Sequence, residues 1–221
     1  MEEFDSSFRA TRDLDIVLIV EALTPEFGYA FWKFIQEGKY RNKSMSTENP
    51  HFYRFDKPQE PGFPYMLELF SRNSFELKHP DMNLTPLHFD EEVSSLSAIL
   101  LNDAYYEMLL KGREEIDGVR VLAPAYIILF KARAWLDLRK KKDSGVHVDE
   151  KDIKKHKNDV VRLASVLSDD SIIDLPEEIY ANMEEFIRNL EQSPADTKAL
   201  KIEGVSSEQI LNRLKKIYQK K

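Results

Sequence analysis

Arg9-Ala10-Thr11-Arg12-Asp13-Leu14-Asp15-Ile16-Val17-Leu18-Ile19-Val20 is the stretch on which the reading of this chain turns. The apolar run from Ile16 to Val20, rich in β-branched residues and without alternation, predicts a strand over 13–20 covered on both faces. Strand side chains alternate, so Asp13 and Asp15 at its head point to one side of the sheet. Two carboxylates so placed can jointly hold a divalent cation, and a cation at a sheet edge can organise phosphates. Asp-x-Asp is also a common sequence of solvated turns and helix N-caps. What distinguishes this copy is the buried strand that it opens.

At 221 residues the chain suits one large domain or two small ones. Hydrophobic residues make up 42% and charged residues 32%, the balance of an ordinary soluble protein. The run 16–20 is far too short to span a membrane. The opening Met1-Glu2-Glu3 lacks the basic and apolar pattern of a secretory leader. With no cysteine in the sequence, disulfides, thiol catalysis and cysteine-ligated metal sites are excluded. A cytoplasmic location is the expectation.

The net charge of −7 argues against a protein that coats nucleic acid with its whole surface. Between Lys131 and Arg162, however, 11 lysines and arginines face 6 acids. Such a segment is either a polyanion surface or a solvated helix pair with its lysines outward.

Beyond the first strand, Thr24-Pro25 predicts a helix start, with Thr24 as N-cap and Pro25 at the first helical position. Phe27, Ala30, Phe31, Phe34 and Ile35 continue at helical spacing to Gly38. The polar segment Tyr40–Pro50 reads as loop. Strands are expected at His51–Phe55 and Tyr65–Phe70, around the turn-rich residues 56–62. Glu68 is the lone charge in the second of these. It must either face solvent from an edge strand or be matched, by a cation or in a carboxylate cluster with Asp13 and Asp15.

Residues 94–122 read as short strand-like pieces, Ser97–Leu101, Tyr105–Leu110 and Val119–Leu122, with Asp117-Gly118 as a tight hairpin turn. At Ala123-Pro124 the character changes. Pro124 opens a helix to the basic Arg139–Lys142, and after Gly145 a second runs from Val148 to about Leu167. His156 lies on the apolar face of the latter, as expected of a core or interface histidine. A helix after Pro176 follows, then one from Ser206 with Gln209 as a capping box. The expectation is an α+β protein with a mixed sheet flanked by helices over 1–122 and a helical domain over 123–221.

These residues resemble the nucleotidyltransferase superfamily, the polymerase-β-like fold, and within it the AbiEii/AbiGii-type toxin nucleotidyltransferases. The likeness rests on Arg9-x-Thr11-x-Asp13-x-Asp15 entering a strand and on Glu68 in a later apolar strand. Leu122–Ala134 is similar to the family's lysine-bearing helix, and Lys151–Val160 to the basic, acid-containing helix after it. The resemblance covers most of residues 9–167. It implies that Asp13, Asp15 and Glu68 are metal ligands and catalytic residues, with Glu68 helping to deprotonate the attacking hydroxyl. Two magnesium ions would then assist displacement at the α-phosphate of a nucleoside triphosphate. Lys131 would contact the triphosphate, or else snorkel beside Trp135 and Leu138, and Arg9 and Thr11 would touch phosphate or orient the strand. The family places a Gly-Gly or Gly-Ser segment ahead of the acid pair, whereas Met1–Phe8 contain no glycine.

The resemblance thus implies transfer of a nucleoside monophosphate to an RNA or protein hydroxyl, with the acceptor on the basic helices 131–162 and an antitoxin as partner. The alternative is a catalytically inactive binding or regulatory member of the same fold, which the short segment before Arg9 favours. A metal-dependent nuclease using the same acids ranks last, because no histidine or lysine lies near them in sequence.

Overall fold

The structure, a computed structural model, describes residues 13–18, 25–46, 52–71, 85–87, 99, 102–168 and 171–221. The chain is α+β and divides into two compact units: Arg9–Leu100 is one, and Leu101–Lys221 makes up most of the other.

The first unit is built on a five-stranded mixed sheet in the order β1-β4-β3-β2-β5. Its strands are β1 (Asp13–Leu18), β2 (Asn42–Ser46), β3 (Phe52–Asp56), β4 (Met66–Ser71) and β5 (Thr85–Leu87). β1 runs parallel to β4, β4 and β2 run antiparallel to β3, and β5 is parallel to β2. The helix α1 (Pro25–Glu37) begins at the proline expected to open it; Thr24, its expected cap, lies outside the described residues. Phe31, Trp32 and Ile35 of α1 are buried with Tyr53, Phe55, Leu67 and Leu69 of the sheet, with Ile16 packed against them. Phe55 receives the rings of Phe31 and Trp32 edge-on, at centroid distances of 5.5 and 5.8 Å. Ring pairs in this geometry add to what area burial alone contributes. Ala30 is exposed, and Phe34 instead packs on Phe63.

Just past the end of α1, position 38 has no room for a side chain. A Cβ there would lie 2.7 Å from both the Phe63 and Tyr40 rings. The segment expected as loop, Tyr40–Pro50, contains the strand β2. Its polar composition hides it, because its place comes from ladder bonds to β3 on one side and β5 on the other.

In the second unit, Tyr105–Leu110 is helical rather than extended. The helix α2 (Asp103–Lys111) is capped by Asn102, whose side chain accepts from Tyr105 N at 3.2 Å. Buried Tyr105, Met108 and Leu109 recur at helical spacing. The hairpin β6 (Arg113–Ile116) and β7 (Val119–Leu122) turns at Asp117-Gly118, both at positive φ as a type I′ turn requires. Ala123 N donates to Gly112 O at 2.8 Å, and Asn182 Nδ2 donates to Tyr105 Oη at 3.2 Å. These bonds tie residues 102–122 to the helices that follow, so the division between the units falls at Leu100, ahead of the change in sequence character near 122.

The remaining helices are α3 (Pro124–Asp143), α4 (Glu150–Ser165), α5 (Glu177–Gln192) and α6 (Ser207–Ile217). The capping box of α6 is formed on both sides: Ser206 Oγ accepts from Gln209 N, and Gln209 Oε1 accepts from Ser206 N. His156 is buried on α4, as a core histidine is. Two strands interrupt the expected helical run. β8 (Ile173–Leu175) pairs in parallel with β9 (Tyr218–Lys220), and buried Tyr218 Oη donates to Ala125 O at 2.5 Å. Among the described residues no helix is long and apolar enough to cross a membrane.

Candidate acid site on the sheet

Alternation along the strands sorts the sheet of the first unit into two faces. Ile16, Leu67, Leu69, Tyr53 and Phe55 line the face that buries α1. Asp15, Glu68 and Arg54 belong to the other, and they share one row: Asp15 is the register partner of Glu68, and Glu68 that of Arg54. The sequence thus brings two carboxylates from segments fifty residues apart to neighbouring strands. Asp13 stands two positions before Asp15 on β1, with Met66 as its register partner; its side chain lies outside the described residues.

Glu68 is buried at 7% exposure, and β4 is flanked on both sides by other strands, so it does not face solvent from an edge. Its charge is matched by Arg54, whose Nε lies 2.9 Å and a terminal guanidinium nitrogen 2.6 Å from Glu68 Oε1. Burial, however, pushes the Glu68 carboxyl up to about 7. Arg54 pulls it down, and Asp15, near enough to share a hydrogen bond with it, pushes it up again. Asp15 itself is exposed. Two positions along β3 from Arg54, and therefore on the same face, Asp56 keeps a buried Oδ1 that accepts no hydrogen bond among the described residues.

Paired carboxylate oxygens are the donor set of a hard divalent cation such as magnesium. Burial, with Asp15 beside it, lifts the Glu68 carboxyl toward neutral pH, and a cation would favour its charged form, so Asp15 and Glu68 fit the group chemically. Among the described residues no three His, Asp or Glu side chains come together as a metal cage. The described part of the site therefore offers two of the three acids expected.

Of the other expected site residues, Arg9 and Thr11 lie outside the described residues. Lys131, half-buried on α3 in the second unit, stands 3.8 Å from Asp159 of α4. Asp159 also lies 4.0 Å from Arg162, so one carboxylate serves two cations. Much of the positive charge between 131 and 162 is already matched within its own unit. Lys140 meets Glu185 at 3.9 Å, Lys142 meets Glu150, and Arg133 meets Asp137 at 3.1 Å. Lys157 donates to Ser193 O, capping the C-terminal end of α5, and Arg139 to Asn189 Oδ1.

The residue that the sequence reading missed is Arg54. The requirement for a cation beside Glu68 was legible, but which strand supplied it depended on the antiparallel register of β3 on β4. Comparison of the chain with protein-family models, with curated proteins and with solved structures gives no match.

Proposed function

We propose that this chain is a metal-dependent nucleotidyltransferase-like protein of the AbiEii toxin type, moving a nucleoside monophosphate from a nucleoside triphosphate onto an RNA or protein hydroxyl. The observation that carries the reading is the shared register of Asp15 and Glu68 on adjacent parallel strands, two residues beyond Asp13. In this reading Asp13, Asp15 and Glu68 hold magnesium, which when bound neutralises the phosphate charge that develops during displacement.

The acceptor oxygen forms a bond to the α-phosphorus, and the bond to pyrophosphate breaks. The acceptor's proton goes to the Glu68 carboxylate. Arg9 and Thr11 are the residues that the same reading assigns to the phosphates, and the basic helices over 131–162, with Lys131, are the surface that it offers to a polyanion. An antitoxin is the expected protein partner, and the cysteine-free sequence suits the reducing cytoplasm.

A second reading, a non-catalytic regulatory member of the same fold, is favoured by the ion pair that already engages Glu68. Calorimetric titration of the four nucleoside triphosphates with magnesium separates the two. Binding that needs magnesium and disappears in Asp13→Asn/Asp15→Asn is the result expected of the enzyme. An absence of binding in the unaltered chain would favour the regulatory reading.

A further inference from the structure

Glu68 stands between two partners of opposite sign, Asp15 on β1 and Arg54 on β3, each at its own register position. Arg54 reaches Glu68 through two nitrogens on one oxygen, Oε1, and the pair is withdrawn from water, with 20% and 10% of the two side chains exposed. A guanidinium is not deprotonated in a protein, so this charge cannot be shed to make way for another cation. It can only move. A divalent cation on Asp15 and Glu68 and a guanidinium on Glu68 Oε1 would repel one another at contact distance in a poorly screened setting.

The same face supplies somewhere for the arginine to go. Asp56 is two positions along β3, and side chains so spaced stand on one face, within an arginine's reach. Its Oδ1 is buried and accepts no hydrogen bond among the described residues, a condition that costs free energy until a donor arrives. Met66, the register partner of Asp56 on β4, is half-buried and offers no competing donor, and the side chain of Asn42, its partner on β2, lies outside the described residues.

We propose that Arg54 is a displaceable counter-ion: it rests on Glu68 while the acid pair is without a cation, and moves to Asp56 when a divalent cation takes Asp15 and Glu68. The proposal rests on the acid pair being a cation site, as argued above. Arg54 and Asp56 are then positioning residues, acting on cation affinity without touching the cation. One carboxylate is exchanged for another, so the guanidinium stays paired in both states. The exchange sets a threshold on cation affinity.

Manganese affinity, read from the loss of the free-ion electron spin resonance signal on the full chain, tests this in a double-mutant cycle. Arg54→Gln is expected to tighten manganese binding about tenfold, the usual size of such a coupling. Asp56→Asn is expected to weaken it several-fold in the original background and to do nothing in the Arg54→Gln background. Arg54→Lys, which keeps the charge but not both contacts, gives a smaller gain and stands in if the glutamine variant does not fold. Unchanged affinity in Arg54→Gln, with binding abolished by Asp15→Asn, overturns the counter-ion role and leaves the cation site intact. Weakening by Asp56→Asn in both backgrounds makes Asp56 a ligand and overturns the exchange. No manganese binding in either the original chain or Arg54→Gln overturns this proposal and the cation site together.

Discussion

A single side chain, Glu68, sits buried between a cation and a second carboxylate, and the pH consequence has a definite sign. The unfolded chain sheds this proton near 4.5 and the folded chain near 7. Between those values the folded state binds more protons, so stability falls as pH rises through the window and levels off above it. The full swing is on the order of 3 kcal/mol. Glu68→Gln, which mimics the protonated form, should match the original chain in thermal unfolding at pH 5 and exceed it at pH 8. Equal melting temperatures at both pH values would mean that the carboxyl titrates normally. Removing Arg54 works in the opposite direction, since the buried carboxylate then loses the partner that holds its pKa down. In Arg54→Gln the loss of stability on going from pH 5 to pH 8 should grow, by about 1 kcal/mol.

At the scale of elements, two glycines of the second unit make a contrast that sterics and backbone conformation explain separately. Gly112 has an ordinary φ of −83°, but a Cβ on it would lie 2.2 Å from Tyr126 Cγ at the start of α3. Gly118 has open space around it but a φ of 79°. Gly112→Ala should cost about 1–3 kcal/mol through overpacking, and Gly118→Ala about 1–2 kcal/mol through strain alone. Thermal melts read by circular dichroism check both. A second substitution, Tyr126→Ala, should rescue only the Gly112 variant, and only in part, because the Cβ at position 126 stays 2.6 Å from the added carbon.

The elements that the sequence made legible are those with local punctuation. Pro25, Pro124 and Pro176, the Ser206/Gln209 box and the Asp117-Gly118 turn each fix a boundary within a few residues, because the physics of a cap or turn is itself local. β2 and β8–β9 were not legible, since short polar or mixed segments become strands only through partners distant in sequence. Tyr105–Leu110 misled because its aromatic and leucine content suits a strand as well as a helix. Only the Asn102 cap and the spacing of the buried residues decide it. The candidate site divides in the same way. The two acids and their need for a cation follow from residue type, whereas Arg54 and Asp56 enter through register.

For the whole molecule, the division into two units predicts separable folding. The second unit buries its own core of Ile128, Leu129, Val160, Ile179, Phe186 and Leu214. Residues 101–221 expressed alone should therefore melt cooperatively with helical circular dichroism. A broad, non-cooperative loss of signal would show that the first unit is needed to hold them. That unit is also fastened by its latest-made part. β9 lies in parallel on β8, Tyr218 reaches back to the carbonyl of Ala125, and Lys221 N donates to Leu175 O at 3.1 Å. None of these bonds can form until residue 218 and its neighbours have cleared the ribosome. Nascent helices α3 to α5 must wait with one edge unsealed, and at synthesis rates of roughly 5–20 residues per second that wait lasts for seconds. Codon choice and chaperone access over the stretch of message that encodes residues 124–221 therefore become determinants of yield, even for sequences that encode the same protein.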